Sequence, residues 1–357
     1  MKVYPTNQLR NLACIGHGHA GKTQLIASLL HLTGATQRWG KVDEGTTVTD
    51  HDEDAIARKI TLNSQLAHCE WREHKINLID TPGFSAFVPH ARPALRVADC
   101  ALVVVDAVGG VEVGTEKTWG YANEFITPRM MVVNKLDKER ADFGAALDGA
   151  RHTFSRAIVP FTLPIGQEAD FRGVVDVVHM KAYEYDAAGK AKEVPIPETG
   201  REVVERERER LVEVIAESDD ALMEKWLENG TLEESDIIPN ISRAIAGSRL
   251  CPVFAVSALT LVGLQQLLDG IVDYAPAPDT HEAEHGKASL DDGAAEVTRG
   301  YHAEEPFSAY VFRTVADPFA GRINVMKIIS GRVKSDAAVQ NTTRGAAERL
   351  GALHSMQ

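Results

Sequence analysis

The feature that most restricts how this chain can fold is the run Gly16-His17-Gly18-His19-Ala20-Gly21-Lys22-Thr23, of the form G-x-x-x-x-G-K-T. It follows the apolar stretch Leu12-Ala13-Cys14-Ile15 and leads directly into the helical pattern Gln24-Leu25-Ile26-Ala27-Ser28-Leu29-Leu30. A strand therefore ends where a helix begins, and the backbone N–H groups of the loop between them converge into a positive nest. Such a nest suits the β-phosphate of a nucleotide, with Lys22 reaching the β- and γ-phosphate oxygens and the Thr23 hydroxyl on Mg²⁺. Gly16 and Gly21 are required because a Cβ would block the tight wrap. The bland alternative, a glycine-rich turn that binds nothing, is disfavoured by the flanking strand and helix. His17 and His19 lie on a loop whose main chain does the binding. No H-E-x-x-H pair or Cys/His cluster accompanies them, so neither is expected to ligate a metal.

Two further strand-to-loop elements follow. Lys75-Ile76-Asn77-Leu78-Ile79 reads as a strand delivering Asp80-Thr81-Pro82-Gly83 at its carboxyl end, where open parallel sheets build their sites. Asp80 is expected to hold Mg²⁺ through a water, and the Gly83 amide to bond a γ-phosphate that the diphosphate lacks. Taken alone, Asp80 to Gly83 would pass for a β-turn. Met130-Met131-Val132-Val133 then delivers Asn134-Lys135-Leu136-Asp137. The Asp137 carboxylate can accept from both N1–H and the exocyclic amine of guanine, donors that adenine does not offer together. Asn134 is expected to fix the loop and the Lys135 stem to cover the base, against the alternative of a charged surface turn. Cys100 to Asp106 supplies another buried strand, and the βα alternation argues for a parallel sheet. After Pro252 to Val256, the run Ser257-Ala258-Leu259 is expected to place backbone amides near the guanine oxygen. GTP is thus favoured; a P-loop kinase or ATPase would require that Asp137 not read guanine.

Composition agrees with this reading. A chain of 357 residues has room for more than one domain, and 44% hydrophobic with 25% charged residues is ordinary for a globular protein. The net charge of −13 opposes a broad basic face, so no DNA partner is expected and any RNA must be met through local patches. The four cysteines are scattered without a C-x-x-C, which suits reduced thiols and a cytoplasmic location. No apolar signal core or bilayer-length apolar run is evident, so no membrane partner is expected.

In motif order the chain resembles the amino-terminal half of elongation factor G, the translocation GTPase of the ribosome, and most of all the divergent elongation factor G-like branch. The resemblance rests on Gly16 to Thr23, Arg58-Lys59-Ile60-Thr61, Asp80 to Gly83, Asp106-Ala107-Val108-Gly109-Gly110-Val111, Asn134 to Asp137, Ser257-Ala258 and Asp273-Tyr274-Ala275-Pro276-Ala277-Pro278. It implies an α/β fold, a P-loop GTPase parallel sheet with helices on both faces, over 8–160 and 250–278. It also implies an inserted α+β subdomain over 161–249 and a partial β-barrel over 304–357, while 279–303, rich in Ala, Gly, Asp, Glu and His, reads from its composition as a flexible linker. The insertion's own pattern agrees, with strand-like 172–178 and 181–185 before a charge-alternating helix from Arg201 to Glu217. The Arg-Glu alternation there reads as a solvated face with internal ion pairs in preference to an RNA-binding stripe. Phe307 to Val315 and Arg322 to Ile329 read as strands around the turn Asp317-Pro318-Phe319-Ala320-Gly321. The resemblance further implies a ribosomal partner, and it gives Lys22, Thr61 and Gly83 to catalysis and Thr23, Thr61 and Asp80 to Mg²⁺.

Three departures qualify the resemblance. The family histidine after D-x-P-G is Phe84, whose phenyl ring can neither donate nor accept a hydrogen bond to orient water. The usual P-loop aspartate is His19, and Lys59 replaces the glycine before Ile60-Thr61. The chain stops at Gln357 without the family's later domains, so translocation by this polypeptide is not expected. Two classes follow: a GTPase turned on by a large RNA-protein partner, or a switch that binds GTP and GDP with negligible turnover.

Overall fold

The computed structural model describes residues 2–289, 293–317 and 321–354. Two compact units divide the chain: Gln8–Pro276 with the first few residues, and Ala277–Gln357 with Pro5–Asn7.

The first unit begins with β1 (Leu9–Ile15), α1 (Lys22–Leu32), the short α2 (Glu53–Arg58), β2 (Gln65–Trp71) and β3 (His74–Asp80). There follow α3 (Ala91–Val97), β4 (Cys100–Asp106), α4 (Val113–Glu124), β5 (Arg129–Asn134), α5 (Phe143–Thr153) and β6 (Ile158–Pro160). Next come β7 (Thr162–Ile165), β8 (Gly173–Asp176), β9 (Lys181–Tyr185), β10 (Ala191–Val194), α6 (Arg201–Ala216), α7 (Asp220–Asn229) and α8 (Glu234–Ala246). The unit closes with β11 (Cys251–Ala255) and α9 (Leu264–Tyr274).

The main sheet has the order β2-β3-β1-β4-β5-β11-β6. Every pairing is parallel except β2 with β3, a hairpin through the short turn at Arg72 and Glu73. The parallel strands are apolar along both faces because helices cover both: β4, β5 and β11 are buried almost throughout, with Val103, Val104, Met131, Val132 and Val253 fully enclosed. The register sets Cys14 beside Asp80 and Asp106 beside Asn134, so the carboxyl ends of β1, β3, β4 and β5 open at one edge. α1 leaves that edge with Leu25, Ile26 and Leu29 buried, and α9 presents Leu264, Leu267, Leu268 and Ile271 to the core.

Between β6 and β11 the chain makes a second, antiparallel sheet, β10-β9-β8-β7, and the helices α6 to α8. Leu211 and Ile215 of α6 and Ile241 and Ile245 of α8 join the same apolar cluster as Phe161 and Phe254. The expectation for α6 needs correction. Its Arg-Glu run is not a solvated face throughout: Glu207 is only 4% exposed and takes Arg151 of α5 at 2.6 Å, while Arg208 donates to the Val178 carbonyl at 2.6 Å. The alternation put these two side chains on the inward side of the helix, where partners from other elements satisfy them.

The second unit consists of antiparallel hairpins, the barrel-like start of a further domain: β12 (Glu284–Lys287) with β13 (Glu296–Arg299), β14 (Ser308–Asp317) with β15 (Gly321–Ser330), and β16 (Ala338–Asn341) with β17 (Ala346–Arg349). The stretch 279–303, read from composition as a linker, therefore carries a hairpin. The turn residues Pro318-Phe319-Ala320 lie outside the described residues.

Among the described residues, no helix is long and apolar enough to cross a membrane.

Candidate functional site

A cavity of about 410 Å³ opens at the carboxyl edge of the main sheet. Gly18, His19, Gly21, Lys22, Thr23, Gln24, Thr61, Gly83, Phe84, Asn134, Lys135, Asp137, Ala258 and Leu259 all line it, so five separate sequence motifs meet in one place. Gly16, His17, Ala20, Asp80 and Ser257, also expected at the site, stand behind that lining.

The phosphate loop is fixed by close packing. Gly16 has φ 137° and a Cβ there would meet the Val104 carbonyl at 2.3 Å; Gly21 has φ 93° and a Cβ would meet Asn134 Nδ2 at 2.5 Å. Both positions need glycine for backbone angle and for space. Lys22 is buried and donates to the Gly16 carbonyl at 3.1 Å and the His17 carbonyl at 2.8 Å. Burial pulls its ammonium down to about 8, with Asp80 opposing. Gly83 lies directly against it: a Cβ at Gly83 would fall 2.3 Å from Lys22 Nζ and 2.6 Å from the Gly18 nitrogen. The loops after β1 and β3 are thus in contact through backbone. Gln24 reaches outward, its amide donating to the Gly40 carbonyl at 3.1 Å and its oxygen accepting from the Val42 N–H at 3.1 Å.

Hydroxyls and carboxylates cluster beside Lys22. Thr23 Oγ1 and Thr61 Oγ1 are 2.9 Å apart, Thr61 donates to Asp50 at 3.2 Å, and Thr49 donates to Asp80 Oδ2 at 2.9 Å. Asp80 is fully buried, and its Oδ1 has no hydrogen-bond partner. Burial, reinforced by the Asp50 carboxylate, pushes Asp80 up to about 6; burial likewise raises Asp50, with Thr61 opposing. An orphaned buried carboxylate oxygen beside two hydroxyls is a donor set that fits a hard divalent cation. Sequence reasoning missed Thr49 and Asp50. Their signal, a Thr-x-Thr-Asp run upstream of Thr61, has no meaning until the chain folds back on β3.

The base end is cross-linked by Asn134. Its Nδ2 donates to the Ala20 carbonyl at 3.0 Å and its Oδ1 accepts from the Ala258 N–H at 3.0 Å, tying the phosphate loop to the segment after β11. Ser257 N–H donates to the Val262 carbonyl, so two of that segment's amides bond within the protein. Lys135 extends over the phosphate loop, donating to the His19 carbonyl and to Asp106 at 2.5 Å. Although burial opposes it, that bond holds Asp106 below the usual carboxylate range. Asp137 lines the cavity, and its Oδ1 is enclosed without a hydrogen-bond partner.

The sheet and this loop set are those of a P-loop GTPase fold. Residues 7–277 match the family described as elongation factor Tu GTP binding domain, and the chain belongs to that family. Membership makes it a translation-factor-like GTPase-family protein and implies guanine-nucleotide binding. A crystal structure of a protein from Thermus thermophilus is similar at 34% sequence identity with a TM-score of 0.82, covering 96% of this chain and 48% of that one. The chain thus spans about half the length of that solved protein.

Proposed function

We propose that this chain is a GTPase of the elongation factor G type, which binds GTP or GDP with Mg²⁺ and hydrolyses GTP when the ribosome orders the loops at Thr61 and Gly83. A cytoplasmic location accords with that role. The observation that carries the reading is the pairing, in one cavity, of a phosphate loop built on Lys22 and Thr23 with Asp137, whose unpartnered Oδ1 awaits the donors of a guanine edge.

In this reading the loop amides from Gly16 to Thr23 hold the phosphates, and Lys22 offsets charge on the β- and γ-oxygens as the terminal group is transferred. Thr23, Thr61 and Asp80 would hold Mg²⁺, which would supply positive charge to offset that of the phosphates. The Gly83 N–H bonds the γ-phosphate, so loss of that phosphate frees the loop and changes the surface offered to a partner. Asn134 and Lys135 keep the base pocket in register, and Ala258 and Leu259 wall it.

A second reading is favoured by Phe84, which stands at the cavity where a water-orienting group is needed and offers no hydrogen bond. The chain would then be a slow or non-hydrolysing switch that uses only the difference between its GTP and GDP forms. Phosphate release from the wild-type chain with and without ribosomes separates the two. Release stimulated by ribosomes is expected; none under either condition would leave the switch.

A further inference from the structure

The phosphate loop carries two histidines, and the fold treats them differently. His17 is turned away from the cavity: its Nδ1 accepts from the Gly114 N–H at 3.1 Å, and its Nε2 lies 3.5 Å from Glu112. His19 lines the cavity with Lys22, Thr61, Gly83 and Phe84, and its side chain stands exposed at the rim. Its backbone lies in the left-handed region at φ 64°, and Lys135, itself paired with Asp106, holds its carbonyl. Main chain is pinned while the ring is free to meet a ligand.

The ring is nevertheless aimed. It meets Phe84 edge to face, with centroids 4.8 Å apart and planes at 89°. Phe84 in turn rests on Gly18, its ring carbons 3.2 Å from where a Cβ would stand, so a side chain at position 18 would crowd the ring. Gly18, His19 and Phe84 therefore form one small assembly at the phosphate end of the cavity. A phenyl ring brings no hydrogen bond, but an imidazole always carries at least one N–H. That donor stands at the exposed rim while Lys22 is buried, and a transferring phosphoryl group spreads charge over its oxygens.

We propose that the His19 imidazole bonds the terminal phosphate of a bound nucleoside triphosphate directly, and that Phe84 is a positioning residue that holds the imidazole by its ring. Position 84 then acts through its neighbour instead of through water. The proposal rests on the nucleotide reading given above and assigns a side-chain role in a loop otherwise used for its amides.

The test uses the full chain with Mg²⁺, ¹⁵N-labelled at histidine, with GDP and with a non-hydrolysable GTP analogue. The His19 ring resonances are expected to move with the analogue much more than with GDP, while those of His17 serve as an internal reference and stay nearly constant. In competitive binding, His19→Ala is expected to lower the preference for the analogue over GDP about tenfold. His19→Arg, which restores a donor, should recover most of that preference, and Phe84→Leu should lose about threefold through misplacement of the ring. If both nucleotides bind while the His19 resonances and the preferences of all three variants stay as in the wild type, the proposal is overturned. If neither nucleotide binds, the functional reading itself fails and the proposal with it.

Discussion

The two ends of the cavity are built in opposite ways. At the base end, polar groups are bonded across loops: Asn134 joins the Ala20 carbonyl to the Ala258 amide, and Lys135 joins the His19 carbonyl to Asp106. Asp137 there is left with an enclosed oxygen unused. At the phosphate-transfer end, Thr23, Thr61, Asp50, Thr49 and Asp80 bond chiefly to one another, with charges crowded and their carboxyls pushed upward. Phe84 adds an apolar ring to that cluster. On the proposed reading, the recognition end is preorganised by bonds between separate loops, whereas the transfer end is a cluster of hydroxyls and carboxylates bonded chiefly to one another.

The sharpest way to break this contrast is Lys22→Ala. Truncating a buried, hydrogen-bonded cation that faces a triphosphate is expected to weaken GTP and GDP binding by at least about 100-fold, measurable by fluorescence titration. Retention of tight binding would mean that the loop amides suffice. Phe84→His addresses the transfer end alone: phosphate release with ribosomes is expected to rise by about 100-fold with nucleotide affinity nearly unchanged. An unchanged rate would show that position 84 does not limit turnover.

Acidity separates the ends further. Lys22 has its free-state pKa lowered to about 8, while a bound triphosphate restores the ammonium, so binding takes up a proton above that pH. Affinity should then fall as pH rises through 8, by up to about tenfold per unit, and calorimetry in buffers of different ionisation enthalpy should register the uptake. A flat profile to about pH 9.5 would place the Lys22 proton outside the binding equilibrium. The smallest effect is expected from Asn134→Ala. Losing two buried bonds should cost about 2 kcal/mol of stability in denaturant melts, with a loss of nucleotide affinity near tenfold.

Much of the scaffold was legible because its signals are local. β4 and β9 match their apolar or alternating runs residue for residue, and α6 matches its charged helix to within a residue. The parallel sheet followed from the alternation of strands and helices along the chain. What stayed hidden depends on contacts remote in sequence. β2 is a half-exposed edge strand whose pairing with β3 reverses direction through a turn of Arg72 and Glu73, residues carrying no turn signature. The inward turn of Glu207 needed Arg151 from another helix. In the site, Lys22, Asn134 and Asp137 announced themselves through motif spacing. By contrast, the Thr49 and Asp50 contacts, the outward turn of His17 and the seat of Phe84 on Gly18 arise only when distant loops are brought to one sheet edge.

The most direct measurement is competitive calorimetry of GTP against ATP with Mg²⁺, on the wild-type chain and on Asp137→Ala. GTP is expected to bind at least about 100-fold more tightly than ATP, and the substitution to erase that gap by leaving the guanine donors unmatched. Equal binding of both nucleotides by the wild-type chain, or a GTP affinity indifferent to loss of Asp137, would contradict a guanine-reading site.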